Sequence, residues 1–305
     1  MGESASSPLQ ESVAVVQRIV VALDGGPSGD AALDWVIERS HSHNLTLDVI
    51  VVQEPMSYDD GSGFSTPIDF HSVYEALLDA AGERLRADAP ELRFRPILRV
   101  GRPRIELAEA ARDSDLLVAG SNRRGHFAGA FSSTLALRLA ATAACPTVVV
   151  PEGWRRIADD GRVAEGIVVG VNITKDQPAV MAFAAGEARH EGSTVTLVAA
   201  WNVPTLVAVS LLAQPQVWKS MELSREAEFA RTVEEVTGAF PDHSITPVLR
   251  EGPAGRILAD AASRAQLLVI GRRRRGRGAV DNLLLGSTAH SVLLDLPCPV
   301  AVVPA

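Results

Sequence analysis

Two loops in this sequence carry the residue types that hold phosphate. One runs from Gly120-Ser121 to Ser133-Thr134, the other from Gly271 through Gly276 to Gly286-Ser287-Thr288. Each follows an aliphatic run that reads as a buried strand and leads into a segment of helical periodicity. The chemistry that this suits is anion binding. Glycine lets backbone N–H groups approach phosphate oxygens, a helix N-terminus adds a favourable dipole, and a neighbouring hydroxyl supplies one more donor. The second loop also holds Arg272-Arg273-Arg274-Arg275-Gly276-Arg277, five arginines in six residues, which suits a polyanion such as triphosphate. Nucleic acid and a solvated loop without a ligand are the competing readings. The lack of neighbouring aromatic residues for base stacking argues against nucleic acid.

Groups that would break bonds or hold a metal are not arranged to do so. The seven histidines show no ligand spacing beyond His41-x-His43, which is expected on a solvated surface turn. No Ser/His/Asp set is evident, and the segment Asp24-Gly25-Gly26-Pro27-Ser28 lacks the leading serine and internal aspartate of a pyrophosphatase loop. Each half of the chain holds one cysteine, Cys145 or Cys298, which suits buried thiols in a reducing compartment better than a disulfide. Trp35, Trp154, Trp201 and Trp218 read as packing residues.

The elements that must position the loops occur twice. Asp115-Leu116-Leu117-Val118-Ala119-Gly120 recurs as Gln266-Leu267-Leu268-Val269-Ile270-Gly271. Cys145-Pro146 and Cys298-Pro299 each precede a valine-rich strand. The offset is 151 residues at the glycines and 153 at the cysteines, a domain-sized period. Within each half, strand and helix signals alternate. Ile19–Leu23 is a continuous apolar run, as in a strand buried on both faces; Ser28 is expected to cap the helix after it. The polar stretch Ser57 to Pro67 is expected to connect the second strand to its helix. Strands separated by helices imply parallel sheets with right-handed crossovers. Asp24 and Asn172 then sit just past the first strands, and the glycine loops just past the fourth. Adjacency of those strands would face each pair onto one crevice.

Composition bounds the rest. The 305 residues leave room for two domains, and 47% hydrophobic residues is ordinary for a globular chain. A formal charge of −8, from 29 basic and 37 acidic residues, argues against broad binding to nucleic acid or anionic membranes. No apolar run approaches the roughly 18 residues of a spanning helix. Met1 to Gln10 lacks the basic start and apolar stretch of a signal peptide, so a cytoplasmic location is expected. The expected boundaries are a disordered tail over 1–15, a first domain over 16–152, a linker over 153–164 and a second domain over 165–305.

From Arg18 to Pro304 the chain resembles the universal stress proteins, in the tandem form common in actinobacteria. The family's first strand reads like Val-Gly-Val-Asp-Gly-Ser. Here it is Val21-Ala22-Leu23-Asp24-Gly25-Gly26 and Val169-Gly170-Val171-Asn172-Ile173-Thr174. A Gly-x-Pro stretch before the third helix appears as Gly101-Arg102-Pro103 and, shortened, as Gly252-Pro253. The family's Asp-Leu-Leu-Val-x-Gly strand appears in both halves, with Gln266 for Asp in the second. The resemblance implies two tandem Rossmann-like α/β domains, each a five-stranded parallel sheet of order 3-2-1-4-5 with helices on both faces. It also implies that the last strands of paired domains meet, either between the halves of one chain or in a homodimer.

Nucleotide-binding members of that family carry Gly-x-x-Gly, nine residues, then Gly-Ser or Gly-Thr. In the first half the frame is Gly120-Ser121-Asn122-Arg123, nine residues, then Ser133-Thr134; both later glycines are replaced. In the second, Gly276, nine residues, then Gly286-Ser287 with Thr288 following keeps the downstream spacing, but Gly271 lies five positions before Gly276 where the family has three. By resemblance, Asp24 with Gly25 meets the nucleoside in the first half; Asn172 stands there in the second and keeps hydrogen bonding without the charge. Family position also makes Val52 and Ala200 adenine contacts, with plain sheet core as the other reading. The implied function is a nucleotide-responsive stress module that binds ATP, with Mg2+ accompanying the phosphates. A ligand-free scaffold acting through protein contacts and a slow ATPase are the alternatives.

Overall fold

The computed structural model describes residues 16–59, 65–121, 132–157, 161, 163–174, 177–203, 214–239, 243–272 and 285–304. The N-terminal half runs β1 (Gln17–Leu23), α1 (Pro27–Ser40), β2 (Leu45–Gln53), a short hairpin of β3 (Met56–Asp59) and β4 (Ser65–Ile68), α2 (His71–Asp88), β5 (Arg93–Val100), α3 (Pro103–Ala110), β6 (Leu116–Ser121), α4 (Ser132–Thr142) and β7 (Thr147–Pro151). The C-terminal half repeats the order of the main elements, with 204–213 outside the described residues. It comprises β8 (Ile167–Val171), α5 (Pro178–Glu191), β9 (Val195–Trp201), α6 (Pro215–Ala239), β10 (Ile245–Glu251), α7 (Ala254–Ala261), β11 (Leu267–Arg272), α8 (Ser287–Asp295) and β12 (Val300–Pro304).

The ten long strands form one sheet of order β10-β9-β8-β11-β12-β7-β6-β1-β2-β5. Read from either end, each half is 3-2-1-4-5, parallel throughout. The halves join where β12 pairs antiparallel with β7, Val300 opposite Val149 and Val302 opposite Thr147. The contact between last strands is therefore made within the chain. Residues alternate between two cores that run the length of the sheet. Ile19, Val21 and Leu23 pack under α1 and α2, whereas Val20 and Ala22 face α3 and α4. Both faces being covered explains why the strands read as unbroken aliphatic runs. The sheet's outer strands β5 and β10 carry Pro96 and Pro247, and β5 adds Arg93, Arg95 and Arg99, which discourage further strand addition.

Three local expectations are corrected. The stretch from Ser57 to Pro67 contains strand residues, Met56 pairing with Ile68 and Asp59 with Ser65. Ser28 does not cap α1: Pro27 supplies the first turn's preset φ after an extended Gly26, and the Ser28 hydroxyl donates to Asp24 Oδ2 at 3.2 Å. His43 is not solvated; it is 8% exposed and lies between the halves.

That interface is polar where α1 meets α5. The Arg39 guanidinium forks onto the Glu187 carboxylate, with Nη2 2.7 Å from Oε1, and both side chains are buried. Nη2 also donates to Gln17 Oε1 at 2.9 Å. The His43 ring meets His190 edge-on at 4.3 Å between centroids. Ser42 Oγ donates to Glu191 Oε1 at 2.6 Å, and Arg156 from the connecting segment bridges Glu191 and Glu38.

Burial, reinforced by the Arg39 charge, holds the His43 imidazole down from 6.5 to about 4, with Glu187 and Glu191 opposing. An unfolded chain binds a proton at His43 below about pH 6.5, whereas the folded chain resists it down to about pH 4. Stability from this group is complete above the first value and is lost as pH falls between the two, by about 3 kcal/mol in all. Urea unfolding at pH 7 and at pH 5 should differ by about 2 kcal/mol through this group. In His43→Gln that component should vanish.

Candidate functional site

Strand order places the predicted residues at two crevices. β1 lies between β2 and β6, with Ala22 opposite Ala119; β8 lies between β9 and β11, with Gly170 opposite Ile270. The carboxyl ends of β1 and β6, and of β8 and β11, lie side by side at the edge of the sheet where α/β folds bind ligands. Asp24 follows β1 beside the strand that ends in Gly120 and Ser121, and Asn172 follows β8 beside the strand that ends in Gly271 and Arg272.

In the N-terminal crevice, protein atoms take up the space. Asp24 Oδ1 accepts the Gly26 N–H at 3.0 Å while Oδ2 accepts the Ser28 hydroxyl, so the carboxylate folds the turn beneath α1. Gly25 adopts a φ of +75°, and a Cβ on it would lie 3.3 Å from Leu77 of α2. A Cβ on Gly120 would fall 1.8 Å from the Ser28 carbonyl oxygen. Glycine at 120 is thus required by the seating of α1 on β6, whether or not a phosphate approaches. Ser121 is buried, and Val52 is half-buried against the core beneath α3 and α4. Ser133 and Thr134 fall in the first turn of α4, with side chains outside the described residues.

The C-terminal crevice differs in shape. Asn172 Oδ1 accepts the Thr174 N–H at 3.0 Å and the Thr174 hydroxyl at 2.8 Å, a turn that asparagine and aspartate can both make. The Asn172 N–H donates to Gln177 Oε1 at 2.8 Å. The other end of that side chain lies 2.7 Å from where a Gly271 Cβ would be. Gln177 therefore spans the crevice from β8 to β11. The sequence reading missed it. The available signal was the longer route from Asn172 to Pro178 than from Asp24 to Pro27. Ala200 is half-buried at the end of β9, one strand from Asn172, because Val171 registers with Ala199.

At α8 the described residues leave the N-terminus uncrowded. Gly286 is the N-cap, with φ −55° and ψ 154°, and among the described residues no atom lies within 4 Å of where its Cβ would be. Ser287 and Thr288 form the first turn, with Ser287 exposed. Gly276 and the arginines at 273, 274, 275 and 277 lie outside the described residues. Arg272 departs from the polyanion expectation. It is buried and turned into the interface, where Nη2 donates to the Ala143 carbonyl at 2.8 Å and Nη1 to that of Ala141, satisfying the end of α4.

Beside Asn172, a cleft of about 500 Å³ opens between α5 and α6, with Met181, Glu228 and Glu235 in its walls. Among the described residues no group of three acidic, histidine or cysteine side chains could hold a metal, and no helix is long and apolar enough to cross a membrane. Burial pushes the Cys145 thiol up to about 11, far from a reactive thiolate.

The model of the universal stress protein family matches residues 16–151 and 165–304. Universal stress protein Rv2005c of Mycobacterium tuberculosis (strain ATCC 25618 / H37Rv) is similar over 292 residues at 27% identity, covering 93% of this chain and 96% of its own. Among solved structures, a universal stress protein from Archaeoglobus fulgidus DSM 4304 has a TM-score of 0.61 at 16% identity, covering 94% of this chain and 98% of that one. A shorter family member from Arabidopsis thaliana, solved with AMP bound, aligns to 48% of this chain and 98% of its own, at 17% identity and a TM-score of 0.33.

Proposed function

The chain belongs to the universal stress protein family as a tandem of two domains, and on that footing we propose that it is a cytoplasmic, nucleotide-responsive module whose C-terminal half binds ATP. The observation that carries this reading is the N-terminus of α8, which no described residue crowds. Among the described residues nothing lies near a Gly286 Cβ, and the Ser287 and Thr288 hydroxyls and first-turn N–H groups supply donors. No side-chain triad for a metal occurs among the described residues, so Mg2+ would arrive bound to the phosphates. Asp24, Gly120 and Ser121 would form a weaker site, because Leu77 and the first turn of α1 crowd it. That crowding favours a second reading for the N-terminal half, a ligand-free surface for protein contacts.

The experiment is a melt of the whole chain with and without millimolar Mg-ATP, together with chromatography of any adenine nucleotide released on heating. ATP binding to the native state should raise the melting temperature with the logarithm of one plus ligand concentration over Kd. Ser287→Ala should weaken ATP by about tenfold or more, one lost hydrogen bond to a charged group, and leave the ligand-free melt unchanged because the side chain is exposed. No shift and no released nucleotide would establish the scaffold reading instead. Phosphate release over many turnovers, abolished in Ser287→Ala, would identify a slow ATPase.

A further inference from the structure

The chain carries an internal control for the cleft between α5 and α6, because α1 and α2 flank the same groove in the N-terminal half. At an offset of 151 residues, buried Leu78 and Leu85 of α2 coincide with buried Phe229 and Val236 of α6. The same offset pairs Leu77 with Glu228, Arg84 with Glu235, Asp30 with Met181 and Asp34 with Ala185. The N-terminal side chains shut the groove. Leu77 lies over Gly25, and Arg84 crosses from α2 to Asp34 and towards Asp30, whose Oδ1 is 4.0 Å from Nη1. In the C-terminal half Glu235 stands where the bridging cation would be, and a thioether and a methyl stand in place of the aspartates. About 500 Å³ opens there. A smaller apolar gap lies beneath it, against Val169 of β8 and Leu197 of β9, and Met181 and Val236 line both spaces. The N-terminal half folds with its groove closed, so the fold itself does not require the opening.

We propose that this cleft binds an organic amine with an apolar body, at a site separate from the nucleotide site and independent of it. The two lie on opposite faces of the sheet. Met181 and Val236 pack into one core, whereas Ala289 and Val292 of α8 pack into the other. The walls of the cleft differ in chemistry. On the α5 side Val171 and Met181 are apolar, and the flexible Met181 thioether stands where the cleft meets the gap below. On the α6 side Glu228, Arg231, Thr232 and Glu235 form one stripe, by their i, i+3, i+4, i+7 spacing. Carboxylates outnumber the guanidinium in that stripe by two to one. Arg225 holds Glu228 in place at 2.7 Å, and Glu235 makes no ion pair among the described residues. Ionised carboxylates only accept hydrogen bonds, whereas an ammonium brings three donors and the opposite charge. An alkyl or aryl amine therefore meets both walls at once. Its apolar body enters between Met181 and Val236, and its ammonium stays at the mouth with the exposed Glu235 and the half-buried Glu228. A carboxylate on the same body would face two like charges.

Titration calorimetry of the whole chain with octylamine, octanol and octanoate, which share one apolar body, tests this. Octylamine should bind at one site, about tenfold more tightly than octanol, the worth of a hydrogen bond to a charged group. Octanoate should bind more weakly than either. The Glu228→Gln/Glu235→Gln variant substitutes partly or fully exposed side chains and should fold normally. It should bring octylamine down to the level of octanol. Met181→Asp/Glu228→Leu/Glu235→Arg transplants the first half's closure and should weaken octylamine and octanol together, by about tenfold, as the apolar body loses its place. Octylamine that binds no better than octanol, that binds at many sites, or that keeps its preference in the double-glutamine variant would overturn the assignment. A closure variant that folds and binds as the wild type does would overturn it too; if that variant does not fold, the double-glutamine variant decides. None of these results bears on the nucleotide reading, whose readout is the Mg-ATP melt.

Discussion

Replacing Arg39 with methionine should destabilise the whole chain by about 3–5 kcal/mol, among the largest effects of any single side-chain truncation in it. The arginine is one half of a buried ion pair between α1 and α5, and its removal leaves the Glu187 carboxylate facing His43, a neutral imidazole whose Nε2 is 3.9 Å away. Glu187→Met should be comparably damaging, because it strands a buried guanidinium left with Gln17 and the face of the Trp35 ring. The double variant should recover most of the loss, since two thioethers fill the space without a charge to desolvate. Urea unfolding of the four proteins closes the cycle, and additive losses in the double variant would show that the pair is not coupled. The pair also bears on which halves can meet. At the 151-residue offset, Glu187 corresponds to Val36, so two copies of the N-terminal half docked in the same way would bury Arg39 against valine. The ionic contact is therefore specific to the two different halves.

The strands, the two cores and the alternation of helices were legible because burial on both faces leaves unbroken aliphatic runs such as Ile19–Leu23 and Leu267–Ile270. The strand order came through resemblance and is matched by the pairing. What sequence reading could not supply is mostly what joins distant segments. Arg39 and Glu187 are 148 positions apart on helices whose charged residues look like any solvated face. His43 read as a surface histidine because nothing local records that another half covers it. Arg272 read as the first of a phosphate-seeking cluster, yet its carbonyl partners lie 131 and 129 residues away. The site was half legible. Glycine positions were found from the right motif, but one motif serves two physical needs, anion approach and helix seating. Only the neighbours of each glycine tell them apart.

That difference sets up a comparison between glycines. Gly120→Ala should cost about 3 kcal/mol or more, because the new methyl would sit 1.8 Å from a backbone carbonyl, the Ser28 oxygen, which no rotamer change can relieve. Either α1 lifts from β6 or the carboxyl edge of the sheet distorts, and Asp24, tied to Gly26 and Ser28, moves with it. Gly286→Ala should change stability by less than about 1 kcal/mol, since its φ is negative and no described residue lies near the added carbon. Its effect should appear in ATP affinity, where a methyl at the N-cap stands in front of the amides meant for phosphate. Thermal and urea unfolding without ligand, followed by ATP titration of each variant, separates the two roles. If Gly120→Ala melts with the wild type, α1 is not seated on β6 as described. If Gly286→Ala binds ATP as the wild type does, the phosphates do not rest on α8.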